Sequence, residues 1–251
     1  MTVQLDHVVH YVNDLNQVIE TFAANDLIAF YGGQHKEWGT HNVLSYFDLS
    51  YIEFLSIEEP TLAQNADQVH VVVKDALRHL PTEETLSRLA LRTDDIEALA
   101  ACLRQTVQIS PIFAGKRTDA KGNLIEWQMF SILGDYQGLP YPFIIQWSGT
   151  EKERRIQLQQ SGVIQSHPAG AKELKKAIFA VDEPAAVVKH WQELFNLPLL
   201  QSTQNLGLLI GDKELHFIKG VTNQLQSIVL TGATTLVGSN IQIGQSTYLF
   251  E

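Results

Sequence analysis

Residues 5–22 have the sequence LDHVVHYVNDLNQVIETF. The first part, up to Val12, is rich in β-branched residues, which favour a strand. Asp14 and Gln17 then have the spacing of a helix N-cap, and apolar residues recur at helical spacing as far as Phe22. This stretch therefore predicts a β-strand followed by a helix with one apolar face.

The same order of elements recurs along the chain. Three short β-type runs follow the first helix, at residues 27–31, 42–47 and 51–57, which completes a βαβββ unit. A second unit starts near residue 86, where Asp94-Asp95-Ile96 aligns with Asn13-Asp14-Leu15. A third strand and helix begin near residue 175, so a period of roughly 80 to 90 residues organises the sequence.

These repeats predict the fold class and the domain organisation. We expect an α+β protein in which residues 1–150 hold two paired βαβββ units and residues 174–251 form a smaller, partly degenerate third unit. The polar segment 151–173 is the predicted linker, and residues 67–80 are predicted to be an inserted helix or strand-helix.

Composition excludes several classes of protein. The formal net charge of −10 and the lack of a basic patch argue against nucleic-acid binding. No apolar run is long enough to span a membrane, and the first residues lack the pattern of a secretory signal, so we expect a cytoplasmic protein. The single cysteine excludes an intrachain disulfide and a thiolate metal cluster.

Three motifs in the first unit resemble those of a known family. They are Leu5-Asp6-His7-Val8-Val9, the segment from Gly32 to Asn42, and Tyr51-Ile52-Glu53-Phe54-Leu55. Together with the repeated βαβββ pattern they are similar to the glyoxalase-like domain proteins of the vicinal oxygen chelate superfamily. The resemblance covers roughly residues 3 to 180 and implies a half-open cup of the glyoxalase and dihydroxybiphenyl-dioxygenase type, with the site on its concave face.

The resemblance also implies positions for metal ligands. It assigns the first ligand to His7 and the second to Glu53, which suits zinc, iron, manganese or nickel. In the second unit, however, His7 aligns with Arg88 and Glu53 aligns with Gln146. A guanidinium has only donors and cannot bind a metal, so the predicted metal site is incomplete.

Arg88 instead suggests an anion site. We expect it to pair with Glu53 in the empty protein and to bind a ligand carboxylate or phosphate, with Arg92 on the same face. Gln146, in the last strand of the second unit, is expected on the same concave face and is a further candidate ligand-binding residue.

Further candidate ligand-binding residues lie in loops and near strand ends: Trp38, His41, Asn42, Arg117 and His167. Each also has a structural interpretation. Trp38 could plug the cup, Asn42 could cap a strand, and Arg117 could be a solvated turn residue. His167 reaches the cup only if the linker folds back over it.

Two functions stay open at this stage. In the first, a metal-free cup binds a small, anionic metabolite. In the second, a divalent transition metal on His7 and Glu53 serves an isomerase, a lyase or a ring-cleaving dioxygenase, with the same two residues as catalytic groups. A small molecule is the expected partner in both, and an unpaired sheet edge in the third unit would allow a homodimer.

Overall fold

In the part of the chain that the structure describes, two large β-sheets and a short two-stranded one have helices packed against them, and this is the α+β class that the sequence predicts. The computed structural model describes residues 2–67, 70–119, 122–201 and 206–251. None of the helices in these ranges is long and apolar enough to cross a membrane.

The first sheet is built from the two predicted βαβββ units. The first unit contains β1 (Gln4–Tyr11), α1 (Leu15–Ala24), β2 (Phe30–His35), β3 (Thr40–Phe47) and β4 (Ser50–Ile57). Two inserted helices follow, α2 (Pro60–Asn65) and α3 (Val71–His79). The second unit contains β5 (Thr85–Arg92), α4 (Ile96–Leu103), β6 (Phe113–Thr118), β7 (Leu124–Ser131), the short pair β8 (Asp135–Tyr136) and β9 (Leu139–Pro140), and β10 (Phe143–Trp147).

Local signals account for these boundaries. The Asp14 carboxylate accepts hydrogen bonds from the N–H groups of Asn16 and Gln17, so it satisfies the free amides that begin α1. β2 starts at Phe30 rather than at Leu27, because the Leu27 N–H donates to the Phe22 carbonyl in the turn that ends α1.

The eight long strands form a closed barrel and not the predicted half-open cup. Their order is β1-β4-β3-β2-β6-β7-β10-β5, and the ring closes where Gln34 of β2 pairs with Thr118 of β6. Gly33 permits this closure, because it has φ +143° and a Cβ there would lie 2.1 Å from the Thr118 carbonyl oxygen.

Helix α3 covers one end of the barrel interior. Its Val72 and Ala76 pack against inward-facing residues that include Val9 and Leu55. The Tyr11 hydroxyl donates to the Val72 carbonyl at 2.8 Å, which fixes the helix to the end of β1. The insertion predicted at residues 67–80 is therefore part of the wall of the interior.

The C-terminal part forms a second sheet. Helix α5 (Glu151–Gln160) occupies the predicted linker and is followed by β11 (Glu173–Val181), α6 (Pro184–Phe195), β12 (Leu206–Ile210), β13 (Lys213–Lys219), β14 (Gln224–Thr231), β15 (Asn240–Ile243) and β16 (Ser246–Phe250). Leu199 forms an isolated β-bridge to Leu208.

This sheet packs on the convex side of the barrel, where one continuous apolar core joins Phe22 and Phe54 to Ile228 and Tyr248. The barrel interior stays separate from that core.

Candidate functional site

The barrel interior holds a cavity of about 40 Å³ on the side of α3 that faces β1 and β4. Much of its wall is apolar and aromatic, and the tryptophans lie close together, with ring centroids 5.5 Å apart for Trp127 and Trp147. The lining residues that bear on function are His7, His35, Trp38, Asn42, Tyr51, Glu53, His70, Arg117, Trp127, Phe143 and Trp147.

A β-bulge brings Asp6 beside His7. The pairing of β1 with β5 shifts between Leu5, opposite Leu91, and His7, opposite Ala90. Strand parity predicts opposite faces for Asp6 and His7, but a bulge re-aims a side chain. As a result the Asp6 Oδ1 lies 2.7 Å from the His7 Nδ1.

Glu53 lies on the other side of the His7 ring. Its Oε2 is 3.4 Å from the His7 Nε2, and its Oε1 accepts a hydrogen bond of 2.6 Å from the Asn42 side-chain amide. The His7 ring stacks on Tyr51, with centroids 4.5 Å apart and planes at 22°. The imidazole is thus held between two carboxylates and against an aromatic face.

The two carboxylates stay ionised. Burial raises the pKa of Glu53, but the hydrogen bond and charge of His7, with smaller contributions from His35 and Asn42, outweigh it and lower that pKa to about 2. Burial likewise raises the pKa of Asp6, and the charge of Arg154 with the His7 hydrogen bond lowers it to about 2.

The pKa of His7 shifts in the opposite direction. Burial lowers the pKa of His7, and its hydrogen bonds to Asp6 and Glu53 outweigh burial, so the pKa is raised above the ordinary 6.5. The two carboxylates therefore favour the protonated form of His7.

Helix α5 contributes a residue that sequence reasoning missed. Arg154 reaches into the barrel, where its Nη1 lies 3.2 Å from the Asp6 Oδ2 and its guanidinium stands 4.4 Å above the Trp147 ring. The Trp147 indole N–H donates to the same Asp6 oxygen at 2.9 Å. The capping box of Thr150 and Glu153 is the sequence signal that could have revealed a helix here, directly after the last barrel strand.

Two further histidines of the cavity are neutral. Burial lowers the pKa of His35 to about 4 and the pKa of His70 to about 3. The His35 Nδ1 lies 3.0 Å from the Thr40 hydroxyl, and the His70 ring meets the Trp38 ring edge-on at 3.9 Å. Both histidines extend the uncharged wall of the cavity.

The structure gathers part of the predicted site around the cavity. His7, Trp38, Asn42, Glu53 and Arg117 all line it. The Arg117 Nη1 donates to the Gly32 carbonyl, which ties the guanidinium to the barrel seam. Their roles toward a ligand remain predictions.

The predicted ion pair between Arg88 and Glu53 is wrong. The Arg88 Nε donates to the Asp75 Oδ2 at 2.6 Å, and its Nη1 donates to the Tyr141 carbonyl. Asp75 belongs to α3, so the inserted helix supplies the carboxylate that answers the buried guanidinium. Arg88 lines a different cleft, outside α3.

Four other candidates lie away from the cavity. The Arg92 Nε donates to Glu151 at 2.5 Å and its Nη1 to the Leu5 carbonyl, at the outer end of β5. The Gln146 side-chain oxygen accepts from the Ile96 N–H at the start of α4, on the convex side. The alignment with Glu53 is therefore off by one residue, because Ile145 and Trp147 are the inward-facing neighbours.

His41 and His167 lie outside the lining of the cavity. His41 alternates with the inward-facing Asn42 on β3, and it lies near Tyr31 and Glu58 instead. His167 is buried against Phe47, accepts from the Ile28 N–H at 2.9 Å and bonds the Tyr46 carbonyl at 2.8 Å. The linker does not fold over the barrel interior at this residue.

The donor set of the cavity does not fit a resident metal. His7 and Glu53 are two ligands, whereas catalytic zinc sites use three protein ligands. In the second unit Arg88 is paired with Asp75, and the inward-facing residues of the last strand are Ile145 and Trp147, which are not metal ligands. Within the described ranges no three His, Cys, Asp or Glu side chains are grouped as a metal site would require.

Comparison with known proteins gives a family and a fold. A family model described as a glyoxalase-like domain matches residues 5–195. A search of curated proteins returned no match. The crystal structure of a hypothetical protein from Staphylococcus aureus is 23% identical, covers 100% of this chain and 99% of its own, and superposes with a TM-score of 0.86, which supports the fold over the full length.

Other solved structures are similar over a smaller part. Methylmalonyl-CoA epimerase from Mycobacterium tuberculosis is 17% identical, with 58% of this chain and 89% of that chain covered and a TM-score of 0.38. A hypothetical protein from Bacillus halodurans C-125 is 13% identical, with 60% and 98% covered and a TM-score of 0.40. At these scores neither likeness bears on the function of this chain.

Proposed function

The chain belongs to the glyoxalase-like domain family, and we propose that its barrel cavity binds a small molecule with a flat, apolar body through His7 and Glu53, without a resident metal. The observation that carries this proposal is the buried pair of His7 and Glu53 in the wall of an aromatic cavity, with Asp6 bonded to His7. A pocket of aromatic walls with few convergent polar groups is the usual form of a small-molecule site.

The cavity is poorly suited to a simple anion. Arg88 and Arg92, the guanidinium groups expected to bind a carboxylate or phosphate, are paired outside the cavity with Asp75 and Glu151. The ionised Glu53 would repel an anion placed beside His7. The ligand therefore carries a donor that can meet Glu53.

A thermal-shift screen of metabolites tests the proposal. A ligand at a hundred times its dissociation constant adds about 2.7 kcal/mol to the free energy of unfolding. We expect hits for the wild-type protein that Glu53→Gln weakens at least tenfold. Glu58→Gln is the matched control, because Glu58 bonds Gln34 outside the cavity. Hits that bind both variants equally would overturn the proposed role of Glu53.

The geometry also favours a second candidate, acid–base catalysis. The His7 Nε2–H is placed to donate to a carbonyl oxygen while Glu53 takes a proton from the adjacent carbon, which leaves an enolate whose oxygen His7 stabilises. A carboxylate with a pKa of about 2 is a weak base, so the ligand would have to displace His7 from Glu53 first. Binding is therefore the primary proposal.

Proton exchange distinguishes the two candidates. Each screening hit that contains a carbonyl group is incubated with the protein in D₂O, and loss of its C–H signal is followed by NMR. Exchange that His7→Gln and Glu53→Gln abolish supports catalysis. Binding with no exchange leaves the cavity a binding site.

A further inference from the structure

A larger cavity, which we call the outer cleft, lies where the barrel meets the second sheet. Its volume of about 550 Å³ falls within the range of about 300 to 1,000 Å³ that is usual for ligand pockets, which occur preferentially at the junction of folded units. Its walls come from α3, the first half of β5, the β8–β9 hairpin and the loop 222–224. Helix α3 separates it from the barrel cavity, since Val72 and Val73 line the cavity whereas Lys74 and Arg78 line the cleft.

Arg88 is a buried cation in the lining of the outer cleft. Its side chain is 6% exposed, and two contacts fix its orientation. Its Nε donates to the Asp75 Oδ2 at 2.6 Å, and its Nη1 donates to the Tyr141 carbonyl. A guanidinium has five N–H donors in a rigid fork, and these contacts use two of them. The oriented fork therefore keeps donors for an acceptor in the cleft.

Two guanidinium groups share one carboxylate in this wall. The Arg78 Nη1 lies 2.8 Å from the Asp75 Oδ1, while Arg88 binds the other oxygen of the same carboxylate. One negative charge cannot balance two positive charges, so a surplus positive charge remains in a chain whose formal net charge is −10. Lys74, one helical turn before Arg78, lines the same wall and adds a third cation.

The facing wall does not remove this surplus. Among the described residues that line the cleft, three cations face two carboxylates, and the second carboxylate is Asp135 on the β8–β9 hairpin. Its Oδ1 accepts the Gly138 N–H at 2.8 Å, which holds the turn of the hairpin. His79, the remaining titratable side chain of the lining, lies 2.9 Å from Glu83. The cleft therefore favours an anionic occupant.

We propose that the outer cleft binds a small metabolite through a phosphate monoester group, which Arg88 and Arg78 hold. A phosphate monoester has a charge of about −1.5 to −2 and three terminal oxygens at neutral pH. It can therefore accept from both guanidinium groups and offset the surplus charge at the same time. A carboxylate has one charge and two oxygens, and it matches the two arginines less well.

Three probes with the same aromatic ring test the phosphate group: phenyl phosphate, benzoate and benzyl alcohol. Binding is followed at low ionic strength by NMR through the backbone amides of Gly134, Gly138 and Asn223, which line the cleft. We expect phenyl phosphate to shift these amides and to bind at least about threefold more tightly than benzoate, and benzyl alcohol to leave them unchanged. The indole signals of the barrel tryptophans should not move, which separates this site from the proposed function.

Single substitutions test the two arginines. Arg78→Met should weaken phenyl phosphate at least about threefold, because it removes one of the two guanidinium groups. Arg88→Lys keeps the charge and loses the fork, and it should weaken phenyl phosphate at least about tenfold. Arg155→Met is the matched control, since it removes the same charge from an arginine that is paired with Asp48 away from the cleft. It should bind phenyl phosphate as the wild type does.

Each part of the proposal has an outcome that would overturn it. Phenyl phosphate that shifts no amide of the cleft would overturn the site, whether or not the barrel indole signals move. Equal weakening by Arg78→Met and Arg155→Met would show a general effect of charge and no role for the arginine pair. Benzoate or benzyl alcohol bound as tightly as phenyl phosphate would overturn the assignment of a phosphate group. None of these outcomes bears on ligand binding in the barrel cavity.

Discussion

At the scale of single residues, the charge of the site depends on His7 and Glu53 together. Each favours the ionised form of the other against the cost of burial, and Asp6 supports the protonated form of His7 from the opposite side. Removing one member of a buried pair leaves the other uncompensated, so the two should behave as a unit toward pH.

The pair predicts a window of pH for its contribution to stability. Glu53 has a folded pKa of about 2 against an ordinary 4.5, so its contribution is complete above pH 4.5 and is lost as the pH falls toward 2. His7 has a raised pKa, so its contribution is complete below pH 6.5 and is lost as the pH rises through the raised value. The stabilisation should be largest between pH 4.5 and 6.5.

Urea unfolding of the wild type and Glu53→Gln, from about pH 3 to about pH 9, measures this window. We expect the difference in unfolding free energy to peak between the two limits and to shrink on both sides. Glu58→Gln should show no such peak. A difference that is constant across pH would contradict the ionised pair.

At the scale of secondary-structure elements, the sequence predicts the repeated units but not how their side chains are aimed. Strand parity places His7 and Glu53 on the inner face, because a regular strand alternates. It also places Asp6 on the other face, and this prediction is wrong because β1 has a bulge there. A bulge leaves no signature in the residues around it, so it could not be predicted from the sequence. The predicted position of Gln146 on the inner face is wrong for a related reason. A register chosen from the sequence is easily displaced by one residue, and this moves the side chain to the other face.

Helices α3 and α5, which lie outside the repeated units, explain the remaining differences between the predicted and the observed contacts. Arg88 has an inward position on β5, but α3 lies over that end of the barrel and supplies Asp75 as its partner. Arg154 enters the site from α5, outside both repeats. A pattern of repeats holds no information about packing by segments that lie between or after them.

The partner of Arg88 leads to an expectation for stability. Asp75 binds two arginines, the buried Arg88 and Arg78, whose side chain is 72% exposed. Arg88→Met should destabilise the protein by about 3 to 5 kcal/mol, as for loss of one member of a buried pair. Arg78→Met, the matched control, should cost about 0 to 1 kcal/mol. Equal effects in urea unfolding would show that α3 is not held by Arg88.

At the scale of the whole molecule, the barrel and the second sheet share one apolar core. A buried hydrogen bond joins them, in which the Tyr248 hydroxyl lies 2.5 Å from the His10 Nδ1. Burial lowers the pKa of His10 to about 3, so this imidazole is neutral. The two sheets should therefore unfold as one cooperative unit.

Tyr248→Phe tests that coupling with the loss of one hydroxyl group. It should lower the unfolding free energy by about 1 to 3 kcal/mol, because a buried polar atom of His10 loses its partner. Circular dichroism and tryptophan fluorescence should still report one coincident transition. Tyr31→Phe is a control at an exposed tyrosine. Separate transitions for Trp191 and the barrel tryptophans would contradict a shared core.

The central claim is that His7 and Glu53 face a ligand directly and not through a metal ion. The most direct measurement is the binding of zinc, iron, manganese and nickel by calorimetry, with elemental analysis of protein purified without chelators or a polyhistidine tag. We expect the wild type to bind no more of any of these metals than His7→Ala binds. One equivalent of a transition metal in the wild type that His7→Ala and Glu53→Gln both lose would contradict the claim.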